Sequence, residues 1–287
     1  MVSLDKIKLS SFDDLFGQEK PVDGGIIEVP LTELYDFSGH PFKVLDDADM
    51  AELTESIRLH GVMVPAIVRK RKSGGYEIIS GHRRKRASEL AGRKTMPVCV
   101  KEFTDDEAVW TMVDSNLQRE HILPSEKAKA YKMKYDALKH QGIKADGHSL
   151  DVIGQANQES SKTIQRYIWL ARLQDDLLEL VDLKRITISQ GVDLSFLNPE
   201  EQFWISEEMQ AAKTKMTAKK SGQLKVLSQE GTLTKDQMVE ILREQASVKK
   251  PFSISREKLA SFFSEDATEQ EMEAVILKLL KGWKENI

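Results

Sequence analysis

The chain changes its periodicity at a single glycine. Tyr76-Glu77-Ile78-Ile79-Ser80 alternates as a strand does, and Gly81 is followed at once by His82-Arg83-Arg84-Lys85-Arg86-Ala87, which reads as a helix stopped at Gly92. A strand that becomes a helix at a glycine leaves unpaired N–H groups at the helix start, here with guanidinium groups beside them. That geometry suits a polyphosphate. Taken alone, the arginine run fits a solvated helix face equally well. A second stretch, Ser115-Asn116-Leu117-Gln118-Arg119-Glu120, and the order of the two pieces favour the phosphate reading.

The surroundings predict a small mixed α/β domain. Ile26-Ile27-Glu28-Val29 reads as a short strand, and Asp46-Asp47 precedes a helix with Met50, Leu53 and Ile57 on one face, ending at Gly61. Ala66-Ile67-Val68-Arg69 pairs with Tyr76 to Ser80 through the Gly74-Gly75 turn, and Met96 to Lys101 is a further strand. Thr104 and Glu107 form a capping box for a helix carrying Ala108, Val109, Met112 and Val113, which delivers Asn116 to Arg119 at its end. Pro124 opens another helix, with Ala128, Tyr131 and Leu138 apolar and Gly142 closing it.

From there to Glu244 nothing reads as a strand. Residues 149–170 give a short helix, a turn and a second helix with Ile164, Ile168 and Leu170 inward, the layout of a helix-turn-helix. Ser160, Ser161, Lys162, Thr163, Gln165 and Arg166 are its exposed candidates for DNA, with hydroxyls and Lys for phosphates and Gln or Arg for base edges. A plain helical hairpin in a bundle is the competing reading, and Gly154 departs from the common pattern of small residues without excluding either. Ser247 to Pro251 reads as a linker, Phe252-Ser253-Ile254-Ser255 as a short strand, and the last helix carries Met272, Val275, Ile276, Leu279 and Leu280. So small a unit either packs back on the body or pairs with a second copy, and self-association is favoured.

The expectation is a multi-domain α+β protein. Residues 1–25 form a tail with one apolar motif, Phe12-Asp13-Asp14-Leu15-Phe16-Gly17; 26–120 a mixed α/β domain; 121–245 an all-α domain; and 251–287 a small C-terminal α/β or helical unit. No apolar run approaches a membrane span and residues 1–25 lack the core of a secretory signal, which places the protein in the cytoplasm. The single cysteine, Cys99, excludes an internal disulfide and a cysteine metal cluster and reads as a strand residue. A net charge of −4 argues against nucleic acid only on average, because Arg69 to Lys72, Arg83 to Arg86, Lys162 to Arg166 and Lys213 to Lys220 gather the cations.

Together with His60-Gly61-Val62-Met63-Val64-Pro65-Ala66-Ile67-Val68-Arg69 and Pro124-Ser125-Glu126-Lys127-Ala128, these pieces give a chain that, from Ile26 to Leu197, resembles the ParB family of partition proteins. The likeness is to the variants on mobile elements of Gram-positive bacteria in particular. The resemblance implies a dimer that binds a short inverted-repeat site on double-stranded DNA in the nucleoid. It also implies CTP with Mg²⁺, closing the N-terminal domains into a sliding clamp. Carried over by position, Gly81, Arg83 and Arg84 would meet the triphosphate with Ser80 nearby, Asn116 would help hold the metal, and Arg119 would be a neighbour. The motif at residues 12–17 is similar to the segment by which family members dock on a ParA-type ATPase; its usual nearby Arg is not evident, although Lys6 and Lys8 could supply charge.

Three positions depart from the family pattern. His82 and Ser115 stand where the family commonly has Glu, so two carboxylates that position metal or water are missing. Val64 stands where Gln often precedes the proline, which removes a polar contact that bears on base selectivity. The expectation is a nucleotide switch that hydrolyses weakly or not at all, or a degenerate pocket. A nucleoid-occlusion or transcriptional regulator of the same family is the alternative. A sulfiredoxin-like enzyme would carry a reactive Cys in the phosphate loop and a free-standing kinase a carboxylate base; the helix-turn-helix counts against both.

Overall fold

The alternating residues of the N-terminal third meet as one mixed sheet. The computed structural model describes residues 25–119, 122–140, 147–212, 214–244, 254–259, 262–264 and 267–285. The motif at residues 12–17 and the helix stop at Gly142 lie outside them. The chain divides into two units, Met1–Arg243 and Glu244–Ile287, and the expected boundary near residue 120 falls inside the first.

In the first unit, β1 (Ile26–Pro30), β2 (Leu34–Tyr35), β3 (Ala66–Lys70), β4 (Tyr76–Ser80) and β5 (Thr95–Val100) form a five-stranded sheet in the order β1-β5-β3-β4-β2. The β1–β5 and β3–β4 pairs are antiparallel, and β3–β5 and β2–β4 are parallel. The Arg71 N–H donates to the Gly75 carbonyl at 3.1 Å, closing the β3–β4 hairpin. Period-2 alternation sends Val29, Val68, Ile78, Met96 and Val98 into one cluster with Leu31, Leu34 and Ala66.

The helices start where side chains replace missing partners. Asp47 accepts from the Met50 N–H at 2.9 Å at the start of α1 (Ala48–His60). After α2 (His82–Leu90), the Thr104–Glu107 capping box opens α3 (Asp105–Leu117). Helix α3 is buried on two sides. Ala108, Met112 and Val113 pack with Phe37, Phe42 and Ile79, while Trp110 packs with Tyr131 and Leu138 of α4 (Pro124–His140) and with the next helix pair. That pair is α5 (Gly147–Asn157) and α6 (Ser161–Leu170), with Ile164, Ile168 and Leu170 inward. Five more helices, α7 (Asp175–Asp182), α8 (Ile188–Leu194), α9 (Pro199–Ala211), α10 (Ala218–Gln229) and α11 (Lys235–Arg243), share a core that runs from Leu170 to Leu242.

The second unit contains α12 (Arg256–Leu259) and α13 (Glu269–Glu285). The strand expected at residues 252–255 is not formed at Ile254 and Ser255, which are irregular; residues 252 and 253 lie outside the described residues. Two residues before the four-residue α12 are too few to sustain a ladder without a partner strand. On α13, Met272 is buried, whereas Val275, Leu279, Leu280 and Trp283 are exposed. No helix among the described residues is long and apolar enough to cross a membrane.

The α5–α6 turn has one sharp requirement. The Glu159 N–H donates to the Gly154 carbonyl at 2.9 Å, and a Cβ on Gly154 would lie 2.5 Å from the Glu159 carbonyl oxygen. Gly154 is therefore needed for the backbones to approach this closely. Gly154→Ala is expected to lower stability by about 1–3 kcal/mol in urea unfolding; an unchanged midpoint would show that the turn relaxes freely.

Candidate functional site

Gly81 sits at the C-terminal end of β4 with φ +118°, a left-handed backbone in which a Cβ would lie 2.7 Å from the Ala66 Cβ. It caps α2 without a side-chain hydrogen bond, so the first amides of the helix open at the sheet's end beside Ser80. The four cations that follow are dispersed. Arg84 donates through Nη1 to the carbonyls of Val64 and Pro65, both at 2.6 Å, and burial pulls its pKa down. Lys85 pairs with Asp36 at 3.2 Å and Arg86 with Asp46 at 2.6 Å. Arg83 reaches Asp47 only at 3.4 Å and stays partly exposed.

Arg83 has a cationic neighbour from the second stretch. The pKa of Arg119 is lowered by burial and then by repulsion from Arg83, and its guanidinium lies 5.9 Å from the centre of the Phe42 ring. Asn116 is 2% exposed, and its Nδ2 donates to the Met112 carbonyl at 2.7 Å. Its Oδ1 is buried without a hydrogen-bond partner. A buried amide oxygen left unpaired costs about 1–3 kcal/mol, which a cation or donor bound there would relieve. Ser115 is exposed and donates from Oγ to the Met112 carbonyl at 2.9 Å. Among the described residues no group of three or more His, Cys, Asp and Glu side chains could hold a metal.

His82 packs against residues of the 36–42 segment. Its ring stacks on His40 at 3.8 Å between centroids, and its Nε2 accepts from the Phe37 N–H at 3.4 Å. Burial, reinforced by the neighbouring His40, lowers its pKa from 6.5 to about 3. The imidazole is therefore neutral, and supplies neither a negative charge nor a proton at neutral pH.

The α5–α6 pair forms the other candidate surface. Ser160 caps α6 by accepting from the Thr163 N–H at 3.1 Å, with the two hydroxyl oxygens 2.8 Å apart, and the Ser161 hydroxyl bonds Asp151. Those three hydroxyls serve the helix start. Lys162 and Arg166 are exposed and Gln165 partly so. None of the three makes a hydrogen bond or ion pair among the described residues. Spacings of three and four place them on one face, opposite Ile164 and Ile168. Sequence patterning did not reveal Lys134 and Lys127 of α4, which bind Asp114 and Glu159 respectively, because a lysine in a helix reads as surface.

A family model described as the ParB N-terminal domain matches residues 17–117. The Vibrio cholerae protein described as probable chromosome-partitioning protein ParB is 31% identical over 209 residues, 72% of this chain and 67% of its own. The chain belongs to the ParB family. Spo0J of Thermus thermophilus is 30% identical over 185 residues, 64% of this chain and 65% of its own, so about a third of that relative lies outside the likeness. A nucleoid occlusion protein of Listeria monocytogenes is 30% identical over 200 residues, 67% of this chain and 68% of its own. C-terminally truncated ParB from Caulobacter crescentus, crystallised with the centromeric parS site, is 20% identical over 76% of this chain and all of its own, with a TM-score of 0.40.

The burial of His82 sets a pH dependence. The imidazole protonates near pH 6.5 when unfolded and only near pH 3 when folded, so between these values the unfolded state binds more protons. The contribution is complete above pH 6.5 and falls with acidification, by up to about 1.4 kcal/mol per pH unit. Circular-dichroism unfolding of His82→Gln between pH 6.5 and 4 should show a shallower pH dependence than the parent. Identical slopes would mean that His82 is accessible to protons.

Proposed function

We propose that this chain is a sequence-specific DNA-binding partition protein of the ParB type, which reads a centromere-like inverted repeat in the major groove with α6. The observation that carries the reading is the exposed face bearing Lys162, Gln165 and Arg166, three polar side chains without protein partners on a helix whose opposite face is in the core. Lys162 supplies a phosphate contact, and Gln165 and Arg166 are the candidates for base edges. Ser160, Ser161 and Thr163 hold the helix start through their hydroxyls and still present backbone and hydroxyl donors to a phosphate.

The opening at Gly81 is the proposed nucleotide pocket. The α2 amides, Ser80, Arg83 and Arg119 face a polyphosphate, while Arg84 braces the 64–65 loop and leaves its remaining N–H groups for it. Asn116 Oδ1 would give one oxygen ligand to Mg²⁺, the others coming from phosphates and water. The resemblance names CTP as the nucleotide. The bound metal would neutralise phosphate charge. With His82 neutral and packed on His40, and the Ser115 hydroxyl bonded to the Met112 carbonyl, neither of the two departures supplies a carboxylate to orient an attacking water. Hydrolysis is accordingly weak or absent.

A homodimer fits the two-fold symmetry of an inverted repeat, and a ParA-type ATPase is the proposed partner of residues 12–17. Nucleoid occlusion is the second reading, favoured by the name of the Listeria relative; it differs in which DNA sites are visited and in whether an ATPase partner exists.

Selection from random duplexes, with and without CTP, tests the proposal. It should return an inverted repeat, on which Arg166→Ala or Gln165→Ala loses about 1–3 kcal/mol with little loss on random DNA. Equal losses on both would make the residue a phosphate contact, and recovery of no sequence would remove the reading. Robust CTP turnover would contradict the account of His82 and Ser115.

A further inference from the structure

The sheet is open at a second place. Lys70 closes β3, Tyr76 opens β4 and Val100 closes β5, so these three ends lie together across the sheet from Gly81, which follows the last residue of β4. A cleft of about 660 Å³ lies there. Ile27, Tyr76, Val100 and Phe103 give it an apolar lining, and Tyr76 and Val100 pack against the buried cluster of the sheet. Ile27 shares a face of β1 with Val29, yet it is 41% exposed where Val29 is 2%. The core is therefore uncovered at this end. β1 is also an edge strand, paired among the described residues only with β5. The polar part of the lining is mainly cationic. Lys70 is exposed and Lys101 half-buried, against the one carboxylate of Glu102, while Arg69 is held by Glu77 and Asp105.

An apolar lining with a surplus of ammonium groups suits a segment that is both apolar and acidic. We propose that the cleft seats this chain's own Phe12-Asp13-Asp14-Leu15-Phe16, with the apolar side chains against Ile27, Tyr76, Val100 and Phe103 and the carboxylates toward Lys70 and Lys101. Connectivity favours this occupant. Gly25 itself lines the cleft, and Gly17 lies eight residues earlier, a reach of at most roughly 29 Å. So short a tether holds the segment at an effective concentration of about 1 mM, so an affinity of only about 0.1 mM keeps it seated about nine-tenths of the time. A nucleic-acid backbone would match the lysines and leave the apolar lining bare, which counts against it. The inference deepens the reading of residues 12–17 as a docking segment, and its regulatory consequence rests on that reading: a seated segment is withheld from an ATPase, which must displace it.

Hydrogen–deuterium exchange of the full chain, without any ATPase, tests the docking. In wild type the amides of residues 12–17 should exchange at least about tenfold more slowly than a coil, equally at low and high protein concentration. Asp13→Lys/Asp14→Lys, which leaves the sheet untouched, should return them to the coil rate, and so should Lys70→Glu/Lys101→Glu. Combining the four substitutions should restore the protection. Coil-rate exchange in wild type would overturn the inference and leave the ATPase reading of residues 12–17 standing. Protection that survives both charge reversals would overturn it too, because the segment would then lie elsewhere. Protection that grows with protein concentration would assign the cleft to the segment of a second copy, against the intramolecular seat. Coil-rate exchange together with random-duplex binding that Lys70→Glu/Lys101→Glu abolishes would make the cleft a nucleic-acid surface instead.

Discussion

A charged lysine with no access to water needs a partner where it lies, and among the described residues Lys134 finds its ion pair in Asp114. Leaving the ammonium alone in the interior would cost about 3–5 kcal/mol. The last turn of α3 is therefore held in one place against α4, with the Trp110 ring beneath the ammonium. Much follows from that position. The sheet-side residues of α3 close the core around Phe42 and Ile79, its other side meets α4 and the α5–α6 pair, and Asn116 arrives with its Oδ1 unpaired. The opening at Gly81 and the exposed face of α6 thus share one supporting helix.

Charge is distributed with the same economy. The chain is acidic overall, yet its carboxylates occupy particular cations: Asp46 holds Arg86, Asp36 holds Lys85, and Glu77 with Asp105 holds Arg69. Those pairs are structural. Arg83 keeps only a long 3.4 Å contact with Asp47, and Lys162 and Arg166 remain exposed on α6. Net charge conceals this, because binding responds to the local field within about 10 Å.

Legibility in the sequence followed the range of the interaction concerned. The strands flanking Gly74-Gly75, the Asp47 and Thr104 caps and the inward face of α6 depend on neighbours a few residues away, and periodicity or capping chemistry exposes them. The two-residue β2 is too short to carry a period. Trp110 was not among the apolar positions read from the sequence, because α3 buries a second side that one amphipathic stripe does not encode. His82 was legible as a departure from the family pattern, but its stacking on His40 depends on a loop some 40 residues earlier. Lys127 and Lys134 were invisible, since their partners are brought near only by the packed fold. Gly154, set aside in sequence as an irregularity, is explained by a backbone approach that no residue pattern displays.

The most direct measurement is a crystal structure of the protein with a duplex recovered by random selection. The account predicts the first turn of α6 in the major groove, with Gln165 or Arg166 within hydrogen-bond distance of a base edge and Lys162 at a phosphate. A duplex bound elsewhere, with that face of α6 open to solvent, would contradict it.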